Sequence, residues 1–122
     1  MGNKTEEDKM QIEIVKQCRA LESQFPGLDL LYHIHNEGKM SPKQGNKLNK
    51  KGRRKGMPDL HLPVARWMLK GLWIELKYGK NKLTEDQKII MTKLIAQGHG
   101  VYICRSVQEA MNKIIWYMGC NI

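Results

Sequence analysis

Long apolar runs are missing from this chain of 122 residues. None approaches the roughly 18–20 consecutive apolar residues that a bilayer-spanning helix needs. Cysteine is scarce as well: Cys18, Cys104 and Cys120 are odd in number, widely spaced and include no CxxC pair. That argues against a disulfide framework or a structural zinc site, and reduced thiols in a cytoplasm are the simplest reading. An apolar leader is also lacking. Residues 1–9 are polar and charged, so no signal peptide is expected. Gly2 is followed by Glu6 where a myristoylation signal carries Ser or Thr. No internal repeat and no composition break divides the chain, so residues 1–122 are read as a single domain with one modest core.

The middle of the chain lacks acid. Residues 39–55 carry Lys39, Lys43, Lys47, Lys50, Lys51, Arg53, Arg54 and Lys55 and no Asp or Glu, within a net charge of +9. A solvated charged loop is the plain alternative. The run directly precedes the acids described next, which favours contact with the phosphates of a polyanion.

What is present is a set of charges inside apolar stretches. Met57-Pro58-Asp59-Leu60 is followed, after a short connection, by Trp73-Ile74-Glu75-Leu76-Lys77. Strands alternate their side chains, so Glu75 and Lys77 share a face and Leu76 takes the other. Charges in a half-buried strand are costly unless a ligand, a metal or a partner charge uses them. Asp59 opens the preceding apolar run and is expected beside Glu75 on a neighbouring strand. Two carboxylates and an ammonium on one spot suit metal-assisted phosphodiester hydrolysis. The carboxylates would hold a hard cation such as magnesium, and the lysine would steady the nucleophile or the developing charge.

The pattern of elements is α-β-β-β-α-β-α. Residues 4–22 have helical spacing in Met10, Ile14, Cys18 and Leu21. On a 100° wheel Glu7 falls within this apolar stripe, and Glu13 falls about 120° away. Residues 30–35 read as a strand, and 36–57 as a long loop with one helical turn near 45–51. Residues 59–64 and 70–77 read as strands joined by a hairpin at 66–70. Thr84-x-x-Gln87 and Ser106-x-x-Glu109 have capping-box spacing and open two helices, the first ended by Gly98. Residues 100–104 form a strand between them. This order predicts an α/β fold, a small mixed four-stranded sheet between helices.

Asp59, Glu75 and Lys77 are also where a family resemblance begins. Together with His35-Asn36-Glu37-Gly38-Lys39, Gly52, Gly56, Leu83-Thr84-Glu85-Asp86-Gln87 and Gly98, the chain closely resembles the VRR-Nuc branch of the PD-(D/E)XK nuclease superfamily, in its small stand-alone viral and bacterial form. The resemblance runs from about Glu7 to about Ile115. It implies a three-layer restriction-endonuclease-like fold. It implies a metal-dependent endodeoxyribonuclease that leaves 5′-phosphate and 3′-hydroxyl ends. Under it, Asp59 and Glu75 bind magnesium or manganese, with the main-chain carbonyl of Leu76 and the first-helix acid, for which Glu7 is the first choice and Glu6 and Glu13 are the alternatives. Lys77 assists the nucleophile, Gln87 stands near the active centre, and Asn36 lies near the scissile phosphate.

Stand-alone members of this type resemble archaeal Holliday junction resolvases and pair as dimers. The resemblance therefore implies a homodimer that cuts four-way junctions or related branched DNA, in a bacterial or virus-infected cytoplasm, without a small-molecule cofactor or a membrane. Trp116, Tyr117 and Met118, with the apolar face of the last helix, are candidates for the dimer surface, and core packing is the alternative. The rival function is a non-catalytic nucleic-acid-binding module or subunit, which accounts for the charge but not for clustered carboxylates facing a polyanion. A sequence-specific restriction-type nuclease would share the site and differ in substrate. His33 and His35 share a strand face, but no further ligand follows at zinc spacing.

Overall fold

The computed structural model describes residues 3–35 and 41–119; Asn36, Glu37, Lys39 and Cys120 lie outside the described residues. Four helices and a four-stranded sheet follow one another in chain order: α1 (Asn3–Ala20), β1 (Tyr32–His33), α2 (Pro42–Lys50), β2 (Leu60–Leu62), β3 (Leu72–Leu76), α3 (Glu85–Ala96), β4 (Gly100–Cys104) and α4 (Val107–Met118). The strands lie side by side as β1-β2-β3-β4. The first two pairings are antiparallel and β3–β4 is parallel, so the sheet is mixed, with α3 as the parallel crossover.

The two faces of the sheet carry different chemistry. Leu60, Leu62, Leu72, Ile74, Leu76 and Cys104 join Ile14 and Cys18 of α1 and Ala110, Met111, Ile114, Tyr117 and Met118 of α4 in one core. The alternate residues of β3, including Glu75, turn to the other face, where Gln87 of α3 meets them. β3 is central and buried throughout, so its one charged residue, Glu75, is almost wholly shielded from bulk water. Burial pushes the thiols of Cys18 and Cys104 up to about 11, which leaves them apolar core groups rather than ligands.

Several elements differ from the sequence expectation. β1 has two residues, because a 3-10 turn at Leu28–Leu30 uses the preceding segment. β2 stops at Leu62 ahead of Pro63, which has no amide proton to donate. The expected single turn near 45–51 is a full helix, α2. Ser41 and Gln44 form a capping box there, with Pro42 at the first helical position. At the last helix only half of the expected box forms: Ser106 accepts from Glu109 N, but the Glu109 carboxylate takes Arg105 N–H at 2.6 Å. The last helix also corrects the expected dimer surface. Tyr117 and Met118 are core residues, Tyr117 donating its hydroxyl proton to Val64 O, and only Trp116 of the three stays exposed.

The β2–β3 hairpin turns at Trp67 and Met68, with φ of 54° and 63°. Two central residues in the left-handed region match the right-handed twist of a hairpin, a place where Asn and Gly are usual. Here the conformation is held by side chains: Trp67 stacks on Trp116 at 5.0 Å and donates Nε1–H to Tyr117 O at 3.2 Å.

One glycine links the basic segment to the helix layer. Gly56 has φ +93°, and a Cβ there would lie 2.7 Å from the Asp86 carbonyl. The segment after α2 is thereby pressed onto the first turn of α3. Gly52 has φ +113° with open space around it. Gly56→Ala should therefore destabilise the protein by about 1–3 kcal/mol more than Gly52→Ala, since both share the φ penalty but only one overpacks. Urea unfolding of the two variants checks this, and equal midpoints would remove the close contact from the account.

Candidate active site

The site is created by strand register. Leu60 pairs with Ile74 and Leu62 with Leu72, so one further step of the same antiparallel ladder sets Asp59 opposite Glu75. Asp59 is tied in place at both ends of the residue. Its carbonyl accepts Ile34 N–H at 2.8 Å, and its Oδ2 accepts Leu76 N–H at 2.7 Å. Lys77 lies one residue beyond β3, with its amide still on the ladder through Cys104 O at 3.1 Å. Its Nζ stands 3.9 Å from Glu75 Oε2, and both residues are buried, at 7 % and 3 % exposure.

Two carboxyls in so little water repel each other. Burial first, and then the Asp59 charge, push Glu75 up to about 9, against the pull of Lys77. Asp59 is likewise raised, chiefly by burial, although the Leu76 amide works in the opposite direction. Each carboxyl bears on the other's proton, as expected of a close pair that cannot both ionise freely without a cation.

Helix α3 aims the next group. Thr84 and Gln87 form the capping box at its start: Gln87 N donates to Thr84 Oγ1 and Thr84 N donates to Gln87 Oε1. With its oxygen committed to Thr84, Gln87 turns its Nε2 to Glu75 Oε2, at 3.2 Å. One side chain thus caps a helix and orients an acid.

Glu7 of α1 reaches the far side of the site. Its Oε2 accepts Tyr78 N–H at 3.1 Å and Asn81 Nδ2–H at 3.2 Å, and its charge is felt by both Asp59 and Glu75. The other acids of α1 are engaged elsewhere. Glu6 pairs with Lys9, and Glu13 accepts from Gln17 at 2.8 Å. Among the described residues no three His, Cys, Asp or Glu side chains converge tightly enough to hold a metal by themselves. The side-chain donors brought together are Asp59 and Glu75, with Glu7 turned toward the adjoining loop. His33 and His35 contact each other edge-on, 6.3 Å apart.

The basic residues are arranged on two surfaces of the segment between β1 and β2. Lys43, Lys47 and Lys50, with Asn46, line one hollow along α2, and Lys51 is exposed beyond them. Arg53, Arg54 and Lys55, with Asn49, Gly52 and Asp86, line a second hollow of about 390 Å³. Arg53 Nε donates to Asn49 Oδ1 at 3.0 Å, and Lys55 lies 3.8 Å from Asp86 on α3. Sequence reading assigns no site role to Asn81 or Arg105, whose only signal is polar character in turns, as unremarkable surface residues also show; Asp86 figures there only within the motif Leu83-Thr84-Glu85-Asp86-Gln87.

Comparison with known proteins agrees with this fold. The VRR-NUC domain family matches residues 5–108. A solved structure of a "VRR_NUC domain protein" superimposes with a TM-score of 0.73 at 25% identity, covering 93% of this chain and 88% of that one. No curated protein matches.

The raised Glu75 has a thermodynamic consequence. In the absence of metal the folded protein keeps a proton that the unfolded chain releases near the ordinary value of 4.5. The folded state therefore binds more protons than the unfolded state between about 4.5 and about 9, and stability must fall as pH rises through that window. Glu75→Gln has no proton to release. In chelator it should melt at a higher temperature than wild type at pH 8, while the difference shrinks toward pH 5. Parallel pH profiles for the two proteins would show that the carboxyl pair is not under this repulsion.

Proposed function

The chain belongs to the VRR-NUC domain family, a nuclease-type domain with the small restriction-endonuclease-like fold of the PD-(D/E)XK superfamily, and we propose that it is a metal-dependent, structure-selective DNA endonuclease. The observation that carries the reading is the buried Asp59–Glu75 pair with Lys77 beside it. A domain that only bound DNA would gain nothing from two acids placed where a polyanion must approach.

The residues present suit a hard divalent ion. The donor set is oxygen only: Asp59, Glu75, the Leu76 carbonyl and Glu7, whose Oε2 is held by the 78–81 turn. Such a set fits magnesium or manganese rather than a thiophilic metal. Both acids of the central pair are short of positive charge, since one ammonium at 3.9 Å faces two carboxyls. A divalent cation, when bound, would neutralise that pair, polarise a phosphoryl oxygen and make water acidic enough to attack. Lys77 would hold the attacking oxygen or the charge growing on the phosphate. Gln87 would keep Glu75 turned to the metal side, and the cationic segment 43–55 would draw the DNA backbone over the site.

Branched DNA and a homodimer complete the reading. One site cuts one strand, so resolving a four-way junction takes two sites related by symmetry. A candidate surface is the hairpin tip and the outer face of α4, where Trp67, Met68, Ile115 and Trp116 are exposed and Met68 is fully so. Contiguous apolar exposure of this kind marks interaction surfaces.

Two outcomes are expected. Asp59→Ala or Glu75→Ala should abolish cleavage of a panel of junction, flap, single-stranded and linear duplex DNA, while DNA binding persists or tightens. Lys77→Ala should lower the single-turnover rate by roughly 10²–10³-fold. Magnesium-dependent cleavage by either carboxylate variant would sink the site. For the assembly, light scattering should give a dimer that Met68→Glu weakens, and a cruciform plasmid should go directly to linear product. A stable monomer making only nicked circles would defeat the junction reading and leave the nuclease reading standing.

A further inference from the structure

We infer that the loop 78–82 is a second nucleic-acid-contacting arm, which takes backbone phosphates through Lys80 and Lys82 next to the carboxylates. This rests on the nuclease reading above and adds a surface that the reading does not include.

The position follows from chain geometry. The loop leaves β3 at Lys77, so the Lys80 Cα lies no more than about 11 Å from that of Lys77. Its inner side is fully engaged. Tyr78 N–H and Asn81 Nδ2–H donate to Glu7, Asn81 N–H closes on Tyr78 O at 3.2 Å, and Arg105 Nη1 donates to both Gly79 O, at 3.0 Å, and Asn81 O, at 2.8 Å. Arg105 is itself fastened, its backbone N–H donating to Glu109 of α4. The loop is thus held from α1 and from the β4–α4 junction.

What projects outward is the Tyr78 ring, 41% exposed, and the side chains of Lys80 and Lys82. Neither ammonium has an acidic partner among the described residues. A merely solvated turn needs no such anchoring. A turn that binds a ligand gains from it, because an ordered loop loses less conformational freedom on binding.

The two cationic segments are held by different anchors. Lys55 and Gly56 lie against Asp86 of α3, whereas the loop 78–82 is fixed to α1 and to the start of α4. Both adjoin the first turn of α3, the turn from which Gln87 holds Glu75. A strand laid across Glu75 would then meet cations from two separately anchored segments.

Binding of a fluorescein-labelled duplex and a four-way junction, measured by anisotropy in chelator over a range of salt, tests the inference. Lys80→Ala/Lys82→Ala should make the slope of log K against log salt shallower by about 2, at roughly 0.9 per phosphate contact. Its melting temperature and its magnesium affinity by calorimetry should stay at wild-type values. Arg105→Ala keeps both lysines but frees the loop, so affinity should fall roughly 3- to 10-fold with the salt slope retained. Arg53→Ala/Arg54→Ala/Lys55→Ala serves as the control for the first surface. A slope that moves in the control but not in the Lys80/Lys82 variant overturns this inference alone. Wild-type protein that binds neither DNA overturns it together with the reading it rests on.

Discussion

Everything at the site depends on one repulsion. The antiparallel register of β2 and β3 forces the carboxyls of Asp59 and Glu75 together, with Glu75 almost wholly buried and Asp59 half-buried. Burying one carboxylate is expensive, and burying two side by side is worse, which is why Glu75 is lifted to about 9. A protein selected for stability alone would fill this position with a hydrocarbon, as it does on the opposite face of the same strand. The cost persists because the pair is complementary to something positive and small. Under the proposed function the acids are preorganised for a divalent ion, at the expense of the metal-free fold.

The groups around the pair position it without neutralising it. Leu76 N–H, Gln87 Nε2–H and the Glu7 carboxylate bring dipoles and one more negative charge, while Lys77 brings a full positive one beside Glu75 and the Lys4 charge is felt at Asp59. Each of these groups has a second task in the fold. The Leu76 amide belongs to the central strand, Gln87 caps α3, and Glu7 ties α1 to the loop after β3. Rigidity of the site is therefore inherited from elements that the fold needs in any case, which is how a domain of 122 residues supports a defined constellation.

The sequence disclosed the parts that rest on local periodicity. The alternation of Trp73, Glu75 and Lys77 against Leu72, Ile74 and Leu76 is a strand property, and the wheel position of Glu7 relative to Glu13 is a helix property, so both could be read directly. The capping boxes at Thr84 and Ser106 marked two helix starts; the equal signal Ser41-Pro42-x-Gln44 stood inside a run so rich in Lys, Asn and Gly that composition outweighed it. What could not be read depends on tertiary contact. Arg105 meets the loop 78–82 only after β4 has paired with β3, and the burial of Tyr117 and Met118 depends on how α4 is rotated against α1. The Trp67–Met68 turn contradicts its own local preference and is held by a stack with a residue far along the chain.

The charge of the whole chain takes its meaning from this arrangement. A net charge of +9 would serve any polyanion-binding protein, but here Glu7, Asp59 and Glu75 bear on one another at one place, while the cations of residues 43–55 line a separate segment. On the proposed reading, a phosphodiester backbone would be attracted by the rim and repelled by the centre until a cation occupied the centre. Binding strength would then come from one set of residues, and the ability to hold a phosphate over Glu75 from another. Separating the two would let the chain grip DNA through sequence-independent phosphate contacts, while the reacting position stayed unfavourable without a metal. That division, rather than the sum of charges, distinguishes this surface from that of a simple basic DNA-binding module.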